Sequence, residues 1–473
     1  MAKKNVDGSG AQSVQERGYF DSLKDLGLAL TDWTMRYVPE PWVIAVILSV
    51  IVFLMTMTWG GVTVTGAIAA WGKGFWTMLT FMAEFAFAIM VAYACAAAPI
   101  MSRCFDYLSS RPNPDKPWQA TLMMAVFSLF TAWLNWAVSI TMSAMFAPYI
   151  AKNNGKTDFR LVVAAAYIGF ATMWASGLSS TAPLLLATPD NFVVKAGIIK
   201  QLIPVDRTII TPTNFLMILV SCVAMCVMFV LITPRPEKAY TLTKEQAGKL
   251  IRVATVKRPA NPTFAQKLNW WPGWSIMMIF ACVTFMIISF KTIGAGAWTI
   301  DMYNLTFLIL ALILNWRPAI LFDGFKKGIT GTWGILSQYP LYGGIFGLIV
   351  FTGLGKFLTH VFTSISTTHT YIPIIYWYSG LLSYFVPSAG AKFAMEAGYI
   401  LPAGQTLGIS AASVTLAYTW GDMLTHLIQP FWAIAILDIT ETHFGQIAGF
   451  CALLFIVYAI LMSGMIFLIP LHL

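Results

Sequence analysis

Long apolar runs separated by short polar segments dominate this chain. A helix crossing the hydrocarbon of a bilayer needs about 20 apolar residues. On that measure residues 41–59, 75–101, 212–234, 274–291, 303–322, 330–359, 409–437 and 446–469 predict membrane spans. Three further stretches, 118–150, 161–188 and 371–401, are long enough to span but are interrupted, at Asn135-Trp136, from Ser176 to Pro183, and from Pro387 to Gly390. A fourth interruption lies inside 409–437, from Gly421-Asp422 to Gln429-Pro430. Irregular backbone persists at membrane depth only where protein or a water-filled cavity satisfies its amides and carbonyls. Four breaks therefore predict one internal cavity.

The breaks recur in two halves. Ala144-Met145-Phe146-Ala147-Pro148-Tyr149-Ile150 and Ala394-Met395-Glu396-Ala397-Gly398-Tyr399-Ile400 match at five of seven positions, and Gly74 to Leu79 pairs with Gly331 to Leu336. Interrupted apolar stretches at corresponding places point to a secondary transporter built from inverted repeats. In the first half 118–150 is expected to be a re-entrant hairpin with its tip near Asn135, and 161–188 an unwound crossing helix. In the second half 371–401 is the hairpin, with its tip near Ser388, and 409–437 the unwound helix. The expected fold is an all-α polytopic membrane protein of about nine transmembrane helices and two hairpins, with 274–291 the unpaired helix that inverts the second half. The corresponding divisions are a tail at 1–40, repeat 1 at 41–234, a linker at 235–270 and repeat 2 at 271–473.

Composition agrees with a membrane protein: 58% of residues are hydrophobic and 10% charged, against about 25% charge in a soluble domain. The net charge of +9 does not point to nucleic acid, because the basic residues lie between apolar spans without aromatic interleaving. They read as topology signals. With the N-terminus inside, the inner segments 1–40, 102–117, 151–160, 235–270 and 317–327 hold most of the 29 Lys and Arg. Segments 189–211 and 438–445 fit less well. The charged N-terminal residues contain no apolar stretch of the cleavable-signal type, so the tail is expected to remain and to be cytoplasmic. The 6 cysteines show no metal or redox spacing and suit packing roles. Neither an enzyme's nucleophile, base or metal set nor a P-loop is present.

Several runs carry a resemblance: Leu134-Asn135-Trp136, Ala166 to Phe170, Pro183-Leu184-Leu185, Ala187-Thr188-Pro189, Gln338 to Ile345, Val386-Pro387-Ser388 and Gln429 to Ala433. Over roughly residues 30–470 the chain resembles the short-chain fatty acid transporter family of the ion transporter superfamily. The resemblance implies an elevator-type carrier, with a scaffold domain that is usually dimeric and a mobile domain holding the hairpins and unwound helices. It also implies carboxylate substrates and sodium or proton coupling. At the second tip, Ser388-Ala389-Gly390-Ala391-Lys392-Phe393 and the later Ala417 to Asp422 are instead similar to the p-aminobenzoyl-glutamate transporter family.

Lys392 is the first candidate for chemistry. An ammonium near the bilayer centre costs about 2.5 kcal/mol or more unless paired, so an anion should sit beside it. That anion is either a substrate carboxylate or Glu396, one turn along the same helix. Asp422 follows Gly421 in a breaking helix, where a carboxylate among freed carbonyls suits Na⁺ or carries a proton; the alternative is a hydrogen-bonded group closing the break. The neutral oxygens and donors near the breaks complete the set. Asn135, Ser139, Ser179, Thr181, Ser388, Gly390, Lys392, Thr425 and Gln429 are expected at the substrate. Asn135, Thr141, Ser176, Ser180, Ser388, Glu396 and Asp422 are expected at a coupling ion. Glu84 suits a structural or dimer-interface role, and His426 is the histidine to test for pH dependence.

The expected activity is cation-coupled transport of a small carboxylate across the cytoplasmic membrane. Proton-driven movement of a larger aromatic or amino-acid-linked carboxylate is the alternative. No cofactor is expected beyond Na⁺ as coupling ion, and the expected partners are the substrate, Na⁺ or H⁺, lipid and a second copy of the chain.

Overall fold

In the computed structural model, residues 36–37, 39–251 and 256–468 are described, and every regular element among them is helical. Most of the N-terminal tail lies outside these residues. The first half comprises α1 (Pro41–Trp59), α2 (Val64–Phe75), α3 (Leu79–Ala96), α4 (Pro99–Ser109), α5 (Pro117–Leu134), α6 (Trp136–Asn153), α7 (Phe159–Thr172), α8 (Thr181–Ala187) and α9 (Pro212–Leu231). Then follow α10 (Gly273–Ile293), α11 (Ile300–Asn315), α12 (Pro318–Gly328), α13 (Trp333–Val350), α14 (Leu354–Ser364), α15 (Tyr371–Phe385), α16 (Ala389–Thr406), α17 (Ala411–Asp422), α18 (Ile434–Thr440) and α19 (Phe444–Leu468).

Local sequence sets the ends of these helices. Prolines 99, 117, 212 and 318 each occupy the first helical position, where the missing N–H has no intrahelical partner to lose. Asp158 caps α7 by accepting from the amides of Arg160 and Leu161. Asn135 separates α5 from α6 with an extended backbone, φ −158° and ψ 119°. Its side-chain oxygen accepts from Ala137 N and Val138 N, so one residue ends one helix and begins the next. Ser139 Oγ donates back to Ser128 O at 3.0 Å, joining the two arms of this hairpin.

Small residues allow the closest helix crossings. A Cβ on Gly74 of α2 would strike the backbone of Gly343 and Gly347 in α13. Likewise, a Cβ on Gly324 or Gly328 of α12 would press against Ala94 or Met90 of α3. Each crossing uses the four-residue spacing of small side chains by which helices approach in lipid, where packing rather than burial from water drives association. Beneath them lie α6, α7, α16 and α17, buried on nearly every side. Over an 18-residue apolar segment within Phe159–Lys195 94% of residues are buried, against 6% over one within Gly273–Ala297, which places α7 at the centre and α10 at the periphery.

Several boundaries differ from the sequence expectation. The expected span 330–359 is two helices, α13 and α14, bent by 77°. The span 303–322 divides at Trp316, whose left-handed φ of 60° ends α11 before Pro318 starts α12. The span 75–101 begins four residues later, at Leu79, after the turn at Trp76–Met78. The first unwound segment runs from Met173 to Ser180, earlier than expected, because Pro183 fits within the first turn of α8. The second runs from Met423 to Ala433, and Gly421 and Asp422 are still helical. Among the described residues six helical stretches are long and apolar enough to cross a membrane, or up to seven with the bent pair. The second broken helix and the 16-residue α11 are not among them, so the expectation of nine is not reached by length and composition.

Candidate functional site between the hairpin tips

The second hairpin tip has no side-chain cap of the kind Asn135 gives the first. Ser388 precedes α16 with φ −147°, and its hydroxyl takes none of the first amides of that helix. Those amides begin at the wall of a small cavity, about 30 Å³, formed by Ser388, Ala389 and Gly390 with Thr181, Tyr339 and a set of rings: Phe85, Trp136, Phe170, Trp174 and Trp432. The volume admits a water or two. A second cleft of about 130 Å³ continues from it past Tyr339, Ser388 and Trp432 to Trp333 and Gln338. Tyr339 Oη lies 3.5 Å from Ser388 Oγ, and a Cβ at Gly390 would crowd Phe81 and that tyrosine.

Behind the second tip is a buried ionic cluster. Lys392 Nζ stands 2.9 Å from Asp422 Oδ1, with both side chains at 0% exposure. It also donates to Ser379 O at 2.6 Å and Ser379 Oγ at 2.8 Å, and lies 4.7 Å from the centre of the Tyr418 ring. Ser383 Oγ donates to Asp422 Oδ1 at 3.1 Å, and His426 Nε2 is 3.6 Å from Asp422 Oδ2. The His426 ring stacks on Phe170 at 5.3 Å, which links the cluster to the cavity wall. Thus the buried partner of Lys392 is Asp422, not Glu396. Both Glu396 oxygens are buried without a hydrogen bond.

The remaining candidates divide between the two breaks. Ser179 Oγ accepts from Trp136 N at 3.1 Å, and Asn135 Nδ2 is buried without a partner. Thr141, Ser176 and Ser180 donate to Ala137 O, Met173 O and Ala175 O. Their hydroxyl protons therefore close local backbone, as such residues commonly do in membrane helices. Thr425 donates to Gly380 O at 2.9 Å, and Gln429 Oε1 is buried without a partner. Of the expected residues, Thr181, Ser388 and Gly390 line the cavity, and Lys392 lies behind it.

Sequence reading missed the residues that tie the breaks together. Asn214 of α9 donates to Ser176 O at 2.9 Å and to Ile209 O at 2.8 Å, and accepts from Trp420 Nε1 at 3.0 Å. One amide thus joins both unwound helices. Tyr167 Oη donates to His426 O at 2.9 Å, and Trp432 Nε1 to Pro387 O at 2.7 Å. Ser379 and Ser383, four residues apart in α15, carried a detectable signal: two hydroxyls on one face of an apolar helix.

An all-helical membrane chain with two broken helices around an enclosed polar cluster has the architecture of a multi-pass transporter. The fold is similar to the YdaH transporter of Alcanivorax borkumensis, with TM-score 0.55 and 16% identity over 92% of this chain and 100% of that one. It is also similar to MtrF of Neisseria gonorrhoeae, described with a class of antimetabolite efflux pumps, with TM-score 0.55 and 11% identity over 93% and 97%. The model of the short chain fatty acid transporter family matches residues 22–469, and the chain belongs to that family. Curated relatives, each named "putative short-chain fatty acid transporter", are 28% identical in Escherichia coli K12 and 27% in Haemophilus influenzae. Each alignment covers 94% of this chain and 98% of the relative. The family and these relatives are transporters, not enzymes.

Proposed function

We propose that this protein is a secondary carrier of a small carboxylate, a short-chain fatty acid or related organic acid, coupled to Na⁺ or H⁺. The observation that carries this reading is the uncapped N-terminus of α16 at a cavity otherwise walled by rings and neutral hydroxyls. Free amides at the positive end of an 18-residue helix suit a carboxylate head. The rings suit a short apolar tail. The Lys392–Asp422 pair one turn behind supplies a charge balance that an arriving anion and its co-ion can shift.

Two inverted repeats and an elevator-type movement belong to the same reading. Helices α1 to α9 and α11 to α19 follow one order: a span, a short helix, a span, a short helix, a hairpin, a broken helix and a span. The contacts are reciprocal as well, since α2 packs on α13 while α12 packs on α3. Helix α10 is left over, as an inversion requires. We place the N-terminus and the 235–270 linker on the cytoplasmic side of the inner membrane, from the excess of basic residues there. The outer scaffold helices are assigned to a homodimer interface. The ring-lined cavity also favours a second reading, an aromatic or amino-acid-linked carboxylate, which the similarity of the second tip to p-aminobenzoyl-glutamate carriers supports.

A thermal-shift series tests the two readings. Acetate, butyrate, lactate, succinate and benzoate are each titrated into purified protein in sodium and in potassium buffer. A ligand that binds the folded state raises the apparent melting temperature. Butyrate stabilising more than lactate and succinate supports the short-acid reading, benzoate alone supports the second, and no shift with any acid refutes both.

A further inference from the structure

The outer cleft contains a buried amide that neither hairpin tip uses. Gln338, on α13, is 8% exposed, lines the cleft and makes no hydrogen bond among the described residues. Gly334 lies one turn before it on the same helix and lines the cleft as well. A Cβ on Gly334 would stand 3.6 Å from Gln338 Nε2, so the amide lies beside space that the glycine keeps open. Gln338 and Gly334 border the cleft alone, whereas Tyr339, Ser388 and Trp432 border both the cleft and the inner cavity. The amide is therefore on the far side of this junction from Ala389 and Gly390, where α16 begins. At the junction Trp432 Nε1 is committed to Pro387 O, and Tyr339 Oη and Ser388 Oγ face each other. None of the residues lining the cleft is charged.

An acid whose carboxylate sits at the start of α16 must send its tail across the junction, because the inner cavity of about 30 Å³ holds little beyond the head and the cleft of about 130 Å³ adjoins it. The tail then displaces water from Gln338. A plain alkyl tail leaves the two N–H groups and the oxygen of that amide without partners, and a ligand that displaces water without reproducing its hydrogen bonds loses affinity. A hydroxyl or carbonyl on the tail reproduces them. A second carboxylate does not serve, since the cleft offers it no cation. We propose that Gln338 is a specificity-determining residue, and that the cleft takes the tail of a short acid bearing a neutral hydrogen-bonding oxygen beyond the carbon next to its carboxylate. This rests on the carboxylate reading above and narrows its substrate class.

The test titrates butyrate, 3-hydroxybutyrate and 4-hydroxybutyrate calorimetrically into full-length protein in detergent, for wild type and Gln338→Met. The substitution keeps the length of the side chain and removes the amide. At least one hydroxy acid is expected to bind wild type about ten-fold more tightly than butyrate, the difference between a buried amide that is satisfied and one that is not. Gln338→Met is expected to erase that preference without lowering butyrate affinity. Butyrate binding wild type as tightly as both hydroxy acids overturns the proposal and leaves the carboxylate reading standing. An equal loss of all three affinities in Gln338→Met also overturns it, because the amide then serves the head group or the fold and not the tail. If wild type binds none of the three, the carboxylate reading itself fails, and this proposal with it. Should Gln338→Met not fold, Gln338→Asn, which shortens the reach of the amide, is read by the same ratio of affinities.

Discussion

Lys392 Nζ and Asp422 Oδ1 lie 2.9 Å apart with neither side chain exposed, although 30 residues separate them in sequence and they sit on different helices. Two ions desolvated together stay stable only as a pair, because removing one partner leaves the other charged in a dry interior, at about 3–5 kcal/mol. Lys392→Met and Asp422→Leu are each predicted to lower the apparent melting temperature strongly, and the double substitution to recover most of the loss. Melting curves of the purified variants decide it. Equal, additive losses would show that the pair is not coupled.

The bond between Asn214 Oδ1 and Trp420 Nε1 is the second predicted coupling. Trp420→Phe removes one neutral hydrogen bond and should cost about 1 kcal/mol plus any packing loss. Asn214→Leu should cost more, because Ser176 O and Ile209 O lose their donor as well. A double-mutant cycle on unfolding free energy is predicted to give an interaction of about 0.5–1.5 kcal/mol between the two.

Gly421 packs so closely on α15 that a Cβ there would strike the Tyr376 backbone, and Gly169 meets Ser128 of α5 in the same way. Gly421→Val and Gly169→Val are predicted to abolish folded protein or destabilise it by about 3 kcal/mol or more, since backbone cannot move aside as a side chain does. Gly72→Ala, with open space around it, should fall within about 0.5 kcal/mol of wild type. Monodisperse yield in size-exclusion chromatography separates these outcomes.

On the cytoplasmic side of the proposed topology, buried Asp158 caps α7, pairs with Arg160 at 2.6 Å and accepts from Tyr240 N at 3.0 Å. It holds the inter-repeat linker to the base of a broken helix. Asp158→Ala is predicted to speed proteolysis of the linker and to lower stability by about 1–3 kcal/mol. The exposed pair of Lys156 and Asp115 is solvent-screened, so Asp115→Ala should change neither measurably.

The four interruptions were legible in the chain because Asn, Pro, Gly and Ser clusters stand out in apolar sequence, and the helices stop within a few residues of them. The break at Asn135 was legible as a polar residue between two apolar runs; that its side chain caps the second helix was not. Nor was partner choice. Lys392 and Glu396 share a helix face, and spacing offered only that pair beside a substrate carboxylate. The approach of α17 to α15, which Gly421 permits, instead brought Asp422 to the ammonium. Asn214 left no trace, because a lone Asn in an apolar helix reads the same whether it packs or closes a network. The 77° bend between α13 and α14 was hidden for a related reason: the residues on both sides are equally apolar.

The central claim is ion-coupled carboxylate transport through the site in front of the Lys392–Asp422 pair. Its most direct test is uptake of labelled butyrate into proteoliposomes of purified protein, under an imposed sodium or proton gradient, for wild type and Asp422→Asn. The account predicts accumulation above the equilibrium level with one of the two gradients in wild type, and butyrate exchange without gradient-driven accumulation in Asp422→Asn. Uptake that ignores both gradients, or that the Asp422→Asn protein performs as wild type does, would contradict it.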